Sequence, residues 1–121
     1  MKLPKILIVD DSEMIRDLVK MSLEDVGYQV VAIESAFGFN NTLRREMPDL
    51  ALVDVNMPGL KGDKLAEIAI GLGAPCPIVL FSDRPDAELT KLARASGVAG
   101  FIRKNGDLRS LHAEIARFLK K

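Results

Sequence analysis

Four short apolar runs in this chain each stop at a residue that could take part in phosphate chemistry. Ile6-Leu7-Ile8-Val9 stops at Asp10-Asp11, and Leu50-Ala51-Leu52-Val53 at Asp54. Pro77-Ile78-Val79-Leu80-Phe81 stops at Ser82-Asp83, and Val98-Ala99-Gly100-Phe101-Ile102 near Lys104. Taken singly, each has a plain explanation: an Asp pair caps a helix, a Ser serves a loop, a Lys faces water. Brought together, they form a specific set. Three carboxylates in one pocket repel strongly unless a cation sits among them. Oxygen-only, charged donors suit Mg²⁺, which keeps waters and bridges to phosphate oxygens. A carboxylate beside Mg²⁺ and a lysine can attack a phosphoryl group and become an aspartyl phosphate. The cations would offset charge on the equatorial oxygens, and the hydroxyl would donate a hydrogen bond to them.

Such convergence needs a scaffold that delivers strand ends to one place. Leu50 to Val53 carry apolar side chains on both faces, as a central parallel strand must, and Met57-Pro58-Gly59 stops the strand. Gln29-Val30-Val31-Ala32-Ile33 reads as a further strand. Helices separate the strands. The first, capped by Ser12 or Asp11, places Ile15, Leu18, Val19, Ser22 and Val26 on one face and ends at Gly27. Phe37 to Met47 form a weaker helix, and Pro48-Asp49 break it. Asp63 to Leu72 form the third, with Leu65, Ile68, Ala69 and Leu72 inward. The fourth starts at Pro85 or Asp86, carries Leu89, Leu92, Ala93 and Ser96 inward, and stops at Gly97. After the Asn105-Gly106-Asp107 turn, the last helix turns Leu108, Leu111, Ile115 and Leu119 inward. Five strand–helix alternations with short connections predict an α/β fold, a five-stranded parallel sheet with helices on both faces. In such a sheet the carboxyl ends of all strands share one edge, where ligands bind.

At 121 residues, 48% hydrophobic and 28% charged, the chain suits one domain, 1–121, with its own core. Seventeen basic residues balance seventeen acidic ones, so net charge gives no argument for direct binding of nucleic acid or of an anionic membrane. Near the end, Arg103, Lys104, Arg109, Arg117, Lys120 and Lys121 outnumber Asp107 and Glu114, a solvated helix face or a docking patch for an acidic partner. Cys76, the only cysteine, sits in Ala74-Pro75-Cys76-Pro77. It can form no internal disulfide and has no adjacent base to activate it. The N-terminal apolar run is too short for a signal peptide, and no run of ~18 apolar residues exists to span a bilayer, so a cytoplasmic location is expected.

The chain resembles the receiver domain of bacterial two-component response regulators, of the chemotaxis-regulator type, over essentially its whole length. The resemblance is carried by Leu7-Ile8-Val9-Asp10-Asp11, Asp49-Leu50-Ala51-Leu52-Val53-Asp54, Met57-Pro58-Gly59, Phe81-Ser82 and Gly97-Val98-Ala99-Gly100-Phe101-Ile102-Arg103-Lys104. It implies a flavodoxin-like (βα)5 fold and a phosphoacceptor at Asp54, fed by a histidine kinase or a phosphotransfer protein. It implies Mg²⁺ held by Asp11, by Asp54, by the backbone carbonyl of Asn56, and by Asp10 through a water. Ser82 and Lys104 match the hydroxyl and lysine that read the phosphoryl group, and Phe101 the switch aromatic. A surface of the fourth helix, fifth strand and fifth helix, including Phe101 and Arg103, would bind a downstream protein. His112 on that last helix reads as a packed, non-catalytic residue. A signalling switch of this kind is not a turnover enzyme.

Three departures from the family pattern bear on function. Phe101 lacks a tyrosine's hydroxyl. Asn105 stands where the family usually has Pro, putting its usual cis peptide in doubt, because a non-proline cis bond costs ~2.5–4 kcal/mol. Asp83 stands where a small residue is usual, beside the pocket, as a modifier of it. The alternative reading is a pseudo-receiver, a constitutive protein-binding module without phosphotransfer. The intact set Asp10, Asp11, Asp54, Ser82 and Lys104 favours the switch; Asp83 and Asn105 favour the alternative. A flavin-binding flavodoxin is disfavoured because two carboxylates follow the first strand, and an Asp-x-Asp phosphatase because the acidic pair is adjacent. No output domain follows the last helix, so a stand-alone regulator or a receiver cut from a larger protein is expected.

Overall fold

The computed structural model describes residues 3–104 and 108–119, except for the side chain of Arg109. Asn105, and with it the Asn105-Gly106-Asp107 turn and the bond after Lys104, lies outside the described residues, as do Lys120 and Lys121. The elements follow in strict alternation: β1 (Lys5–Val9), α1 (Glu13–Asp25), β2 (Gln29–Ile33), α2 (Phe39–Glu46), β3 (Leu50–Asp54), α3 (Gly62–Gly71), β4 (Ile78–Ser82), α4 (Asp86–Ser96), β5 (Gly100–Arg103) and, after a 3₁₀ turn at Leu108–Ser110, α5 (Leu111–Leu119). The strands form one parallel sheet in the order β2-β1-β3-β4-β5. This is the doubly wound, flavodoxin-like order, and the expected fold is borne out. No helix among the described residues is long and apolar enough to cross a membrane.

The two-residue period of the strands divides the core. Leu7, Val9, Ala51, Val53 and Leu80 point into one cluster with Phe39, Leu43, Leu65, Ala66, Ala69 and Leu89 of α2, α3 and α4. Ile6, Ile8, Leu50, Leu52, Val79 and Phe81 point into the other with Val19 and Leu23 of α1 and Leu111 and Ile115 of α5. Every residue of β3 and β4 is buried, which is why those runs are continuously apolar rather than alternating.

Two helix faces differ from expectation. On α1, Leu18 and Val26 are exposed, while Leu23 joins Val19 in the core. On α3, Ile68 and Leu72 are about half exposed, and the buried face is Gly62, Leu65, Ala66 and Ala69. Its small residues let the α3 backbone lie close to the sheet, and larger side chains would hold it away. α2 starts at Phe39 rather than Phe37, because Gly38 takes a left-handed conformation (φ 80°) and precedes the helix, leaving Phe37 in solvent. β5 starts at Gly100: Val98 and Ala99 only lead in, with Ala99 N donating to Ile78 O at 2.9 Å. Ser12 rather than Asp11 caps α1, its hydroxyl accepting from Ile15 N at 3.3 Å. A cap of this kind contributes about 1 kcal/mol.

Candidate functional site

Strand register builds the site. Val9 pairs with Val53, so the next residues, Asp10 and Asp54, emerge side by side at the carboxyl edge. Asp54 pairs with Phe81 across to β4, and Ser82 pairs with Arg103 across to β5, which brings Ser82 and Lys104 to the same edge. The point lies between β1 and β3, where the chain reverses its direction of winding and a crevice opens. Sequence-distant residues therefore converge without any long loop.

Carboxylate oxygens of Asp10, Asp11 and Asp54 lie within 4.8 Å of one another, a spacing suited to a shared cation. Asp10 is fully buried, Asp54 nearly so, and Asp11 exposed. Lys104 Nζ stands 2.7 Å from Asp10 Oδ2 and donates to Asp54 Oδ1 at 3.0 Å. It also lies 5.1 Å from the centre of the Phe81 ring. Asp54 Oδ1 accepts in addition from Asn56 N at 3.2 Å; among the described residues, no hydrogen bond is made to Oδ2. Asp10 Oδ1 accepts from Ser12 N at 2.9 Å, whereas its buried Oδ2 has the ion pair alone and no hydrogen bond. A buried carboxylate oxygen whose one partner is an ammonium, beside two further carboxylates, belongs to a donor set that fits a hard divalent cation.

Burial pushes the Asp54 carboxyl up from 3.8 to about 6, against the pull of Lys104 and the Asn56 amide, and the neighbouring Asp10 adds to the rise. Burial also works against the charge of Lys104, but the Asp10 and Asp54 carboxylates outweigh it and hold the ammonium above its usual range. The two groups differ in which effect wins: at Asp54 the loss of water outweighs the lysine, and at Lys104 the two carboxylates outweigh the loss of water.

Ser82 is buried; its Oγ accepts from Arg84 N at 3.1 Å and its carbonyl from Lys104 N at 2.8 Å. Phe101 is half-buried, packed against the α2–α3–α4 side of the core, and borders a groove with Asp86, Arg103, Glu114, Arg117 and Phe118. The basic character expected there is partly neutralised, since Arg103 Nε lies 3.5 Å from Asp86 Oδ1. His112 is half-buried on α5. Asp83 is exposed and pairs neither with Lys104 nor, among the described residues, with any other cation. Its carboxylate therefore does not occupy Lys104, which pairs with Asp10 and Asp54 instead.

Three residues at the site carry no signal among the strand-end residues. Arg16 Nη1 donates to the Asp10 carbonyl at 2.7 Å; a basic residue just over one helical turn past an acidic pair could have pointed to it. Arg84 Nη2 donates to Asn56 Oδ1 at 2.6 Å and so joins the loop after β3 to the start of α4. Gly62 lies flush against the Asp54 carbonyl, where an added Cβ would come within 1.9 Å of the oxygen.

Residues 6–116 match the response regulator receiver domain family. The transcriptional regulatory protein CseB of Streptomyces coelicolor is 30% identical over 116 residues, covering 96% of this chain and 49% of CseB. The sensor protein GacS of Pseudomonas syringae pv. syringae is 42% identical over 64 residues, covering 53% of this chain and 7% of GacS. The structure of chemotaxis protein CheY4 of Vibrio cholerae aligns with a TM-score of 0.89 at 25% identity, covering 97% of this chain and 99% of that one. The chain thus spans about half the length of the transcriptional regulators it matches.

Proposed function

Because the chain belongs to the response regulator receiver domain family, a signalling module of two-component systems, we propose that Asp54 is its phosphoacceptor. The donor is a phosphohistidine of a histidine kinase or of a phosphotransfer protein. The observation that carries this reading is the unequal use of the Asp54 carboxylate: Oδ1 is held by Lys104 and by the Asn56 amide, which leaves Oδ2 to attack. An Oδ2–P bond forms as the donor's N–P bond breaks, and the electron pair of that bond leaves with the imidazole. Lys104 is already within reach of Asp54 and balances charge on the transferred oxygens. Ser82 Oγ accepts from the Arg84 amide, so its proton is free to be donated to one of those oxygens.

Asp11, Asp54 and the Asn56 carbonyl would hold Mg²⁺ directly, with Asp10 behind a water. The ion would supply neutralisation of the phosphoryl oxygens during transfer. Arg16 and Ser12 hold Asp10 in place through its carbonyl and Oδ1. The signal then leaves through Phe101 on β5, and a downstream protein binds the groove between α4, β5 and α5. Neither nucleic acid nor a membrane is contacted directly, and the switch works within one domain, 1–121.

Mass spectrometry after incubation with acetyl phosphate and Mg²⁺ tests the reading. A gain of one phosphoryl group, lost in Asp54→Ala, is expected. An unmodified wild type, together with amides of Asp11 and Asn56 that stay fixed under high Mg²⁺, would remove phosphotransfer altogether.

A further inference from the structure

Among the described residues, Gly27, Gly38, Gly59, Gly73 and Gly97 take positive φ, a conformation that suits glycine. Gly62 does not. It is the first residue of α3, buried, with φ outside that region, so its backbone would accept any residue. Its conformation therefore gives no reason for glycine, and the reason lies in its surroundings. The constraint is space. A Cβ at Gly62 would sit 1.9 Å from the Asp54 carbonyl oxygen, 2.7 Å from its carbon and 3.0 Å from Val55 Cα. All three neighbours are backbone, so no side chain can swing aside.

The same contact closes a loop. Gly62 N donates to Val55 O at 3.0 Å, so the segment from Val55 to Gly62 is stitched at both ends. Val55 and Met57 are buried, and Asn56 between them is exposed. The height at which α3 seats on the Asp54–Val55 peptide therefore fixes Asn56 and the base of the Asp54 side chain together. We infer that Gly62 is a positioning residue for phosphoryl transfer, setting the Asp54 carboxylate and the Asn56 carbonyl relative to Asp11 and Lys104. The inference rests on Asp54 being the acceptor, but its geometric half can be read in the protein without metal or donor.

Gly62→Ala must separate α3 from β3 by more than about 1 Å to reach 3.0 Å from 1.9 Å. A displacement of that size at a reacting group can cost about a hundredfold in rate. Gly71, on the last turn of the same helix, has no atom within 4 Å of its would-be Cβ, so Gly71→Ala is the matched control. Three measurements are made on wild type and both variants: amide NMR spectra without metal, Mg²⁺ titration, and the rate of phosphorylation by acetyl phosphate at a temperature where urea melts show the chains folded. Gly62→Ala is expected to shift the Asn56 and Lys104 amides in the metal-free protein. It should also weaken Mg²⁺ at least threefold and slow phosphorylation ten- to a hundredfold, with Gly71→Ala unchanged in all three. If Gly62→Ala unfolds in plain buffer, the spectra are taken in about 1 M trimethylamine N-oxide, which favours the folded state. Unshifted Asn56 and Lys104 amides in a folded Gly62→Ala would overturn the inference, whatever the wild type does with phosphate. Shifted amides with unchanged Mg²⁺ affinity and rate would overturn it too, leaving Gly62 a packing residue. A wild type inert to acetyl phosphate would instead sink the acceptor assignment and, with it, any role for Gly62 in transfer.

Discussion

Asp54 carries its charge at a cost to the folded chain, and Asp54→Asn measures that cost. Burial raises the carboxyl from 3.8 to about 6, a difference of about 2 units. At ~1.36 kcal/mol per unit, this is about 3 kcal/mol. Between the two values the folded chain holds a proton that the unfolded chain has released. The contribution of this group to stability is therefore fully present below pH 3.8, declines as the pH rises through about 6, and is level above. Asparagine keeps an oxygen for the Asn56 amide and for Lys104 but cannot ionise. Urea denaturation in the presence of a chelator should show Asp54→Asn more stable than wild type by about 3 kcal/mol at pH 7.5, or roughly 10 °C in Tm. At pH 4 the gain should shrink to under about 1 kcal/mol. Millimolar Mg²⁺ should narrow the difference at pH 7.5, because a cation at the carboxylates favours the ionised form of wild type. An asparagine variant less stable than wild type at pH 7.5 in chelator, or an equal gain at both pH values, would show that Asp54 is not held at a penalty and that the electrostatics described above are wrong.

Other perturbations have bounded outcomes. Asp83 is exposed, so at ~6 Å in water-like surroundings its repulsion of a dianion is only about 1 kcal/mol. Asp83→Ala should accordingly raise the rate with acetyl phosphate by less than about tenfold; a hundredfold gain would mean that the carboxylate faces the pocket. Burial, helped by Asp49, pushes the Cys76 thiol up from 9.0 to about 11, which cuts its thiolate at pH 8 by roughly tenfold to a hundredfold. Iodoacetamide should label it much more slowly in the folded protein than in urea, and equal rates would contradict the packing described.

The site was legible in the sequence because a parallel sheet turns a one-dimensional pattern into a place. An apolar run that ends in Asp10-Asp11, Asp54, Ser82 or Lys104 needs only strand order and register to become a cluster, and both follow from short alternating connections. Helix faces were harder to read. Ile68 and Leu72 on α3 looked inward by their hydrophobicity, yet the sheet accepts Gly62, Ala66 and Ala69, because close packing selected small volume over apolar area. Leu18 and Leu23 on α1 exchange roles for want of any local cue to the rotation of the helix. The Arg84–Asn56 contact joins two loops 28 residues apart through side-chain conformations, which no spacing rule encodes. Gly62 was invisible for a similar reason: its importance lies in what an absent atom would strike.

Lys104 has one further consequence, in terms of mass action. Its ammonium rests between Asp10 and Asp54 on a side chain fixed to the backbone, so neither dialysis nor a chelator can take it away. The acidic cluster thus always meets an incoming ion with a resident competitor, whose effective concentration is set by its tether and not by the buffer. A divalent ion captured there displaces a ligand, and its apparent affinity falls by the fraction of time that Lys104 leaves the carboxylates open. Lys104→Ala should therefore tighten Mg²⁺ binding even as it removes a cation from the phosphoryl group. Metal retention and phosphoryl stabilisation would then make opposite demands on Lys104.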